Sequence, residues 1–119
     1  MNQVLTLKDA LSRVPEDLEW GVLRPGVGVA WIYRDPDGGP SAAYLRYEPG
    51  ASVPLHHHPG LEHILVLEGE QQDERGVYPA GTLVVNPPGT RHSVQSPKGC
   101  LALLIWNRPV EILDPAEAA

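Results

Sequence analysis

The sequence predicts an all-β fold, either a sandwich or a barrel. Glycine and proline are abundant, with 12 and 13 residues respectively, and they interrupt the 119-residue chain at short intervals. The segments between these turn signals are short and rich in Val, Leu, Ile and Tyr. Short apolar segments separated by frequent turns are typical of all-β domains, because glycine and proline supply the backbone angles of tight turns.

Taken in chain order, these segments predict eight strands and at most one short N-terminal helix. The strands are expected at residues 27–34, 42–48, 52–58, 62–68, 70–73, 82–85, 92–96 and 101–107. The helix is expected at residues 7–14, where Thr6 could cap its start and Pro15 would end it. The polar tail, residues 109–119, is expected to fray.

Length and charge limit the classes of protein that this chain can represent. We expect one domain over residues 1–119, with its core at about 20–108, because a chain of this length forms a single hydrophobic core. The net charge is −6, with only nine Lys and Arg residues. An acidic chain binds a phosphate backbone poorly, so we expect no nucleic-acid partner.

The cysteine content and the hydropathy pattern indicate a cellular compartment. Cys100 is the single cysteine, which rules out an internal disulfide, and we expect it to be a small buried residue rather than a redox group. The N-terminus carries no basic segment followed by a long apolar run, and no stretch approaches the roughly 20 apolar residues that span a bilayer. We therefore expect a protein of the reducing cytoplasm with no membrane partner.

Two elements of the sequence place histidine or glutamate at fixed spacing from glycine. The first contains, in order, Gly50, His56, His58, Glu62 and Gly69, and the second contains Gly81, Pro87, Gly89 and His92. Side chains alternate faces along a strand, so His56 and His58 would share one side while His57 points to the other. A tight reversal at Pro59-Gly60 would bring Glu62 back beside the histidine pair.

His92 would complete this group from a distant part of the sequence. It follows a turn in which two prolines fix φ and a glycine reverses the chain, and a stiff turn can hold a ligand in place. We therefore interpret four side chains as ligands of one divalent transition metal: His56, His58, Glu62 and His92. Three imidazoles and a carboxylate suit Zn, Fe, Mn, Ni or Cu. The simpler alternative, a solvated polar run at the three consecutive histidines, would require neither Glu62 nor the second element.

Alternation also predicts an interior pocket for a small-molecule ligand or substrate. The candidate lining residues share strand faces in pairs: Tyr44 with Arg46, Ile64 with Val66, and Leu104 with Trp106. A largely apolar pocket with one or two polar groups would suit a small organic molecule, and an inward-facing Arg46 could anchor a carboxylate. The alternative for each of these residues is ordinary core packing.

The segment Ile64-Leu65-Val66-Leu67 is apolar on both of its faces. One face can line the interior of the domain. The other face needs a cover, which could be an N-terminal strand or a second subunit. We therefore expect a homodimer.

The two spaced elements resemble the two signatures of the cupin superfamily. A narrower resemblance extends over residues 20–106 and is to the cupin domain of ChrR-type anti-sigma factors. The residues that carry it are Tyr44-Leu45-Arg46-Tyr47-Glu48-Pro49-Gly50, Leu65-Val66-Leu67-Glu68-Gly69, Asp73-Glu74, Tyr78-Pro79-Ala80-Gly81, Asn86-Pro87-Pro88-Gly89 and Gly99-Cys100. Where that family commonly has an aromatic residue after the glycine turn, this chain has Gln71.

The resemblance implies a small jelly-roll barrel with the metal inside it, and it leaves three functional hypotheses. The first is a metal-dependent enzyme, dioxygenase-like or isomerase-like, in which Glu62 could also exchange a proton as a catalytic group. The second is a non-catalytic zinc-binding sensor or regulatory module of the ChrR type. The third is a metal that only stiffens the barrel. In the ChrR family the cupin follows a helical sigma-binding domain, for which we see no cysteine-and-histidine cluster, and this slightly favours the enzyme.

Overall fold

The computed structural model describes residues 3–113, and over this range the chain forms ten β-strands and no helix. The strands, in chain order, are β1 Trp20–Arg24, β2 Val27–Arg34, β3 Ser41–Tyr47, β4 Ala51–His57, β5 Glu62–Asp73, β6 Gly76–Pro79, β7 Leu83–Asn86, β8 Arg91–Ser96, β9 Cys100–Trp106 and β10 Glu111–Ile112. The all-β fold expected from the spacing of turn residues is therefore confirmed. Within the described range, no helix is long and apolar enough to cross a membrane.

The strands form one curled antiparallel sheet in the order β1-β2-β3-β9-β5-β8-β4-β10, with β6 and β7 also paired to β5. Strand β5 is 12 residues long and belongs to both halves of the curl. Its first half pairs with β7 and β9, and its second half pairs with β6 and β8. A sheet that curls in this way encloses an interior, which is the half-barrel expected of a cupin.

The interior of the curl holds the main hydrophobic core. On β5 the inward side chains include Ile64 and Val66, which alternate with outward residues as the period of a strand requires. Leu45 and Tyr47 of β3 and Leu104 of β9 pack against them. These apolar residues form the walls around the candidate site.

A second, smaller cluster lies on the outer face of the sheet. Ala30, Tyr44 and Leu101 are buried there, and Val14 and Leu18 from the N-terminal segment pack against them. The Tyr44 hydroxyl donates a hydrogen bond to the carbonyl oxygen of Ala10 over 2.7 Å. The N-terminal segment therefore covers part of the outer face of the sheet, which the sequence pattern had left open.

The helix predicted at residues 7–14 is wrong. The chain forms turns there, and Asp9 adopts a left-handed φ of 57°. The amides of Ser12 and Arg13 both donate to the Asp9 carbonyl, at 2.9 and 3.2 Å. A left-handed residue cannot continue a right-handed helix, and the bond from Tyr44 to Ala10 fixes this turn against the sheet.

The strand predictions agree with the structure to within one or two residues at most ends. The two segments expected at 62–68 and 70–73 are one continuous strand, β5. Strands β1, β6 and β10 were not predicted. Strand β10 pairs with β4, so residues 111–112 of the expected tail are ordered, and residues 114–119 lie outside the described range.

Candidate metal site

Three of the four predicted ligand residues meet inside the curled sheet. His56 lies on β4, His58 follows directly after β4, and His92 lies on β8 opposite His56 in the strand register. Their side chains are buried, and one ring nitrogen of each lies within 4.8 Å of the others. The three ring centroids are 4.6–5.0 Å apart. The cluster is therefore compact enough for the three imidazoles to share one metal ion.

The second ring nitrogen of each histidine is held by the surrounding protein. His56 Nδ1 lies 2.9 Å from the Pro54 carbonyl oxygen, and His92 Nδ1 lies 2.9 Å from Asp73 Oδ2. Both partners are acceptors, so each Nδ1 carries the proton and donates it. His58 Nδ1 is 3.0 Å from the Thr90 hydroxyl, which itself donates to the Pro87 carbonyl and so also accepts from the ring. Each Nε2 is therefore left with a free lone pair.

This arrangement passes the chemical test for a metal site. The Nε2 atoms of His58 and His92 are fully buried and make no hydrogen bond. A buried polar atom without a partner costs stability, unless a group outside the chain satisfies it. Neutral imidazoles that converge through Nε2, with Nδ1 fixed by the protein, are the form in which histidine binds transition metals.

Glu62 adds a carboxylate to the edge of the cluster. It lies at the start of β5 and is 3% exposed. Its Oε1 is 3.1 Å from His58 Nε2 and 3.9 Å from His92 Nε2. Asn86 donates to the same oxygen over 2.9 Å, while the indole of Trp106 donates to Oε2 over 2.6 Å. Glu62 is thus fixed with one oxygen directed at the imidazoles.

The proline-rich turn before β8 positions His58 as well as His92. The His58 amide donates to the Thr90 carbonyl over 2.9 Å, and the Gly89 amide donates to the His58 carbonyl over 2.8 Å. Gly89 has a φ of 91°, a left-handed angle that glycine adopts at little cost. This turn, which was expected to position His92 alone, therefore also holds the backbone of His58.

Burial and hydrogen bonding shift the acid–base equilibria of the cluster. Burial lowers the pKa of His56 to about 4, since the apolar surroundings disfavour the charged imidazolium, and the nearby His92 adds to the effect. Burial alone would raise the pKa of Glu62, but the close approach of the His58 ring and the hydrogen bond from Asn86 lower it below the usual value. The site therefore favours neutral His56 and ionised Glu62, which are the metal-binding forms.

The metal-free protein should lose stability as the pH falls from about 6.5 to about 4. The unfolded chain binds a proton at His56 near pH 6.5, whereas the folded chain does so only near pH 4. The contribution of neutral His56 to the free energy of unfolding is therefore fully present above pH 6.5. It is lost as the pH falls to about 4, and it amounts to about 3 kcal/mol at most. Urea unfolding of chelator-treated protein at pH 7.5 and 4.5 measures it. The variant His56→Gln should show a shallower pH dependence, and an equal slope would contradict this assignment.

Asp73 should strengthen metal binding through His92. Its buried carboxylate accepts the His92 Nδ1 proton and also accepts the Tyr78 hydroxyl over 2.7 Å. Carboxylate partners of this kind raise the basicity of the imidazole and fix its orientation. Asp73→Asn should weaken zinc affinity by about 10- to 100-fold in a chelator competition assay. Glu70→Gln removes the same charge away from the site and should leave the affinity unchanged, and equal affinities in the two variants would refute the role of Asp73.

A cavity of about 50 Å³ lies beside the imidazoles. Of the six residues expected to line a pocket, Ile64, Leu104 and Trp106 border it. Val66 packs in the same core without reaching the cavity. This volume holds about four water molecules, which is much smaller than the pocket of a typical organic substrate.

The structure places Tyr44 and Arg46 on the opposite face of β3 from the cavity. Tyr44 is buried in the outer cluster, and Arg46 is exposed with its guanidinium 5.0 Å from the Trp20 ring. Leu45 and Tyr47 line the cavity instead. The residues of β3 that point inward are therefore Leu45 and Tyr47, one position along from those expected. Because Arg46 points outward, it cannot anchor a ligand in the interior.

Four residues with roles at the site were missed when the sequence was read for ligands. They are Asp73, Asn86, Thr90 and, within the cavity wall, Gln71. Asp73 and Asn86 lie within the segments that carry the family resemblance and Thr90 directly follows one, which is the signal that could have identified them. Their partners depend on the register between distant strands, which spacing along one strand does not specify.

Comparison with known proteins places these features in a family. Residues 9–111 match the family model described as the ChrR Cupin-like domain. The anti-sigma-E factor ChrR of Cereibacter sphaeroides is 35% identical over 107 residues, which cover 87% of this chain and 49% of that protein. This chain thus spans about half the length of the curated relative that it matches.

Two solved structures show the same architecture. The structure of Rhodobacter sphaeroides SigE in complex with the anti-sigma ChrR matches with a TM-score of 0.69 and 31% identity, over 80% of this chain and 52% of that chain. A putative acetylacetone dioxygenase from Methylibium petroleiphilum PM1 matches with a TM-score of 0.75 but only 16% identity, over 83% and 77% of the two chains. The second likeness concerns the fold alone. The family model matches residues 9–111, and the ChrR relative is 35% identical over 87% of the chain. The chain therefore belongs to the ChrR cupin-like family, which agrees with its curled antiparallel sheet and its buried imidazole cluster.

Proposed function

We propose that this chain is a regulatory metal-binding module, which holds one zinc ion through His56, His58, Glu62 and His92. The state of this site would control the contacts that the domain makes with another protein. The observation that carries this proposal is the pairing of a fully buried imidazole cluster with a cavity of only about 50 Å³. The cluster suits an ion, while the cavity is too small for a typical organic substrate.

The donor set favours zinc among the divalent metals. Three imidazole nitrogens and one carboxylate oxygen provide the four ligands of a tetrahedral zinc site. When bound, the ion would supply a positive charge and Lewis acidity within an apolar interior. The protein residues do the remaining work: Asp73 and Thr90 orient two imidazoles, while Asn86 and Trp106 orient the carboxylate.

The hydrogen bond between Glu62 and Asn86 connects the site to the protein surface. Asn86 is the last residue of β7, a short strand that pairs with β5. On the same strand Leu83 and Val85 are 57% and 47% exposed. Ile105 of β9 is 40% exposed and lies opposite Val85 across His63 of β5, with which both residues are paired. Loss of the ion would remove the positive charge beside the buried Glu62 carboxylate, and a shift of that carboxylate would move the end of β7 through its hydrogen bond with Asn86.

We call Leu83, Val85 and Ile105 the β7 patch and propose that it is the contact surface. Exposed apolar side chains that cluster on one face commonly mark an interface. A second copy of this chain would bury the patch as a homodimer, which sedimentation at micromolar concentration would detect. The known ChrR relative is found in a complex with SigE, so a sigma factor is the second partner that this surface would suit.

An enzyme is the second candidate, because the cavity borders the cluster and shares Leu23, Trp106 and Val110 with a larger pocket of about 170 Å³ through which a substrate could reach it. A ligand that enters this cavity would lie next to His56, Glu62 and His92. The fold shared with an acetylacetone dioxygenase supports the same candidate. In that case the iron(II)-loaded protein would consume oxygen with a small β-diketone, whereas the regulatory module would not.

Hydrogen exchange with and without zinc tests the regulatory proposal. We expect one zinc per chain after purification without added metal, and faster amide exchange at residues 83–86 after the ion is removed. The variant Asn86→Ala should uncouple β7, so that its exchange no longer responds to zinc. Oxygen uptake with acetylacetone, or amide hydrogen exchange at β7 that is the same with and without zinc, would reject the regulatory module.

A further inference from the structure

We propose that the cavity beside the imidazole cluster is a binding site for a small monoanion, held between the metal ion and the side-chain amide of Gln71. This inference rests on the proposed metal site and specifies the ligand that the site accepts. It assigns a role to a polar residue of the cavity wall that the metal site itself does not use.

Besides the His92 imidazole of the metal site, Gln71 places an unpartnered polar atom in the cavity wall. It lies on β5, is 2% exposed and lines the cavity together with His56, Glu62 and His92. Its amide nitrogen Nε2 is buried and makes no hydrogen bond. Native proteins rarely leave a buried amide unpaired, because the lost hydration is not recovered. An acceptor atom supplied by a ligand would satisfy this donor.

The size of the cavity limits this ligand to a few non-hydrogen atoms. The volume of about 50 Å³ corresponds to about four water molecules. Its other walls are largely apolar, with Leu45, Val94 and Leu104 among them. A linear or planar molecule of three or four atoms fits, and an aromatic carboxylate does not.

The charge of the occupied site favours an anion. A divalent ion with three neutral imidazoles and the Glu62 carboxylate carries a net charge of about +1. The Asp73 carboxylate offsets this charge only behind the His92 ring, whereas the walls on the cavity side of the ion are largely apolar. Zinc can expand from four ligands to five, so a monoanion would contact the ion at one end and accept a hydrogen bond from Gln71 at the other. Azide and formate have this charge and size.

The cavity and a neighbouring pocket share part of their walls, which marks the side from which a ligand would enter. Leu23, Trp106 and Val110 line both the cavity and a second pocket of about 170 Å³ that also borders Trp31 and Arg34. The Trp106 indole is held by Glu62, whereas Leu23 lies on the edge strand β1 and is 43% exposed. Small movements of Leu23 and Val110 would therefore admit a ligand of this size.

The test is an azide titration of the cobalt-loaded protein, followed by visible absorption. Cobalt(II) replaces zinc as a spectroscopic probe of the ligand sphere. In Gln71→Met, which keeps the length of the side chain, azide should bind about 10-fold more weakly or worse, because a hydrogen bond to a charged ligand is lost. Gln72→Met, the neighbouring residue on the other face of β5, should bind azide as the wild type does. Both variants should take up cobalt with unchanged affinity.

Each other result overturns the inference in a distinct way. If cobalt binds but azide binds equally well to wild type and Gln71→Met, or not at all, the anion site is refuted and the metal site stands. If benzoate competes as well as azide, the size limit is refuted. If cobalt does not bind, both the metal site and the inference fail. The thermal midpoint of Gln71→Met should equal or exceed that of the wild type, which excludes misfolding as the cause of weaker binding.

Discussion

Replacing His92 by Gln should abolish tight metal binding, with zinc content falling from about one ion per chain to near zero after dialysis against a weak chelator. His92 lies opposite His56 in the strand register, and its Nε2 is buried without a partner. Loss of one of four ligands typically removes several kcal/mol of binding energy from a structural zinc site of about 10–16 kcal/mol. Affinity should therefore fall by about a hundredfold or more.

His57→Gln is the matched control for this change. His57 belongs to the same run of histidines but points away from the cluster, and its Nδ1 lies 2.9 Å from Glu111 Oε1 at the surface. This variant should keep its full zinc content, as should His63→Gln. Zinc content that falls equally in His57→Gln and His92→Gln would indicate that the surface histidines bind the metal, which would contradict the interior site.

Gly69→Ala should destabilise the protein by about 3 kcal/mol or more. Gly69 has a φ of 71°, an angle that costs a residue with a β-carbon about 1–2 kcal/mol. An added methyl group would also overlap the backbone carbonyl oxygen of Gly99 on the adjoining chain segment. Backbone cannot yield as a flexible side chain does, so the overlap adds to the cost. Urea unfolding of the metal-free protein measures the difference.

Gly38→Ala separates the two causes of this loss. Gly38 has a similar φ of 83°, but an added methyl group would meet nothing within 4 Å. It should therefore cost only about 1 kcal/mol, the penalty of the left-handed angle alone. Gly69 also lies where β5 passes from one half of the curled sheet to the other, between Glu62 and Asp73. Gly69→Ala should thus weaken zinc binding as well, and equal stability losses in the two variants would refute the close approach of Gly99.

The strands that form longer apolar segments between turn signals were predictable, whereas short or largely exposed strands were not. On β5, Ile64 and Val66 share the face of the candidate ligand Glu62, so their inward direction followed from the period of a strand. Strand β1 was missed because four of its five residues are exposed and it carries no apolar alternation. Strand β10 is only two residues long, too short for any pattern.

On β3 the wrong face was predicted to point inward, and the physical reason is a different one. Residues 41–45 are all buried, since the interior core covers one face and Val14 with Leu18 covers the other. Over these five residues neither face of the strand is polar, so Tyr44 could be placed on the inner face as readily as Leu45. Arg46, on the same face as Tyr44, marks the outer face, but it was interpreted as an inward anchor for a ligand.

The sequence was enough to bring the candidate ligand residues together, but not to identify the groups that hold them in place. His56, His58 and Glu62 lie close together in the chain, so strand alternation and one turn bring them together. Asp73, in contrast, meets His92 through the approach of β5 to β8. Such partners depend on the relative placement of whole strands, which depends in turn on the packing of the entire core.

X-ray absorption at the zinc edge of the purified, zinc-loaded protein identifies the metal ligands directly. We expect four ligands at about 2.0–2.1 Å, of which three show the outer-shell scattering of imidazole and one is a carboxylate oxygen. The spectrum of Glu62→Gln should lose or lengthen the oxygen contribution while it keeps three imidazoles. A sulfur ligand at about 2.3 Å, or a zinc ion with one imidazole and a shell of water, would contradict the site described above.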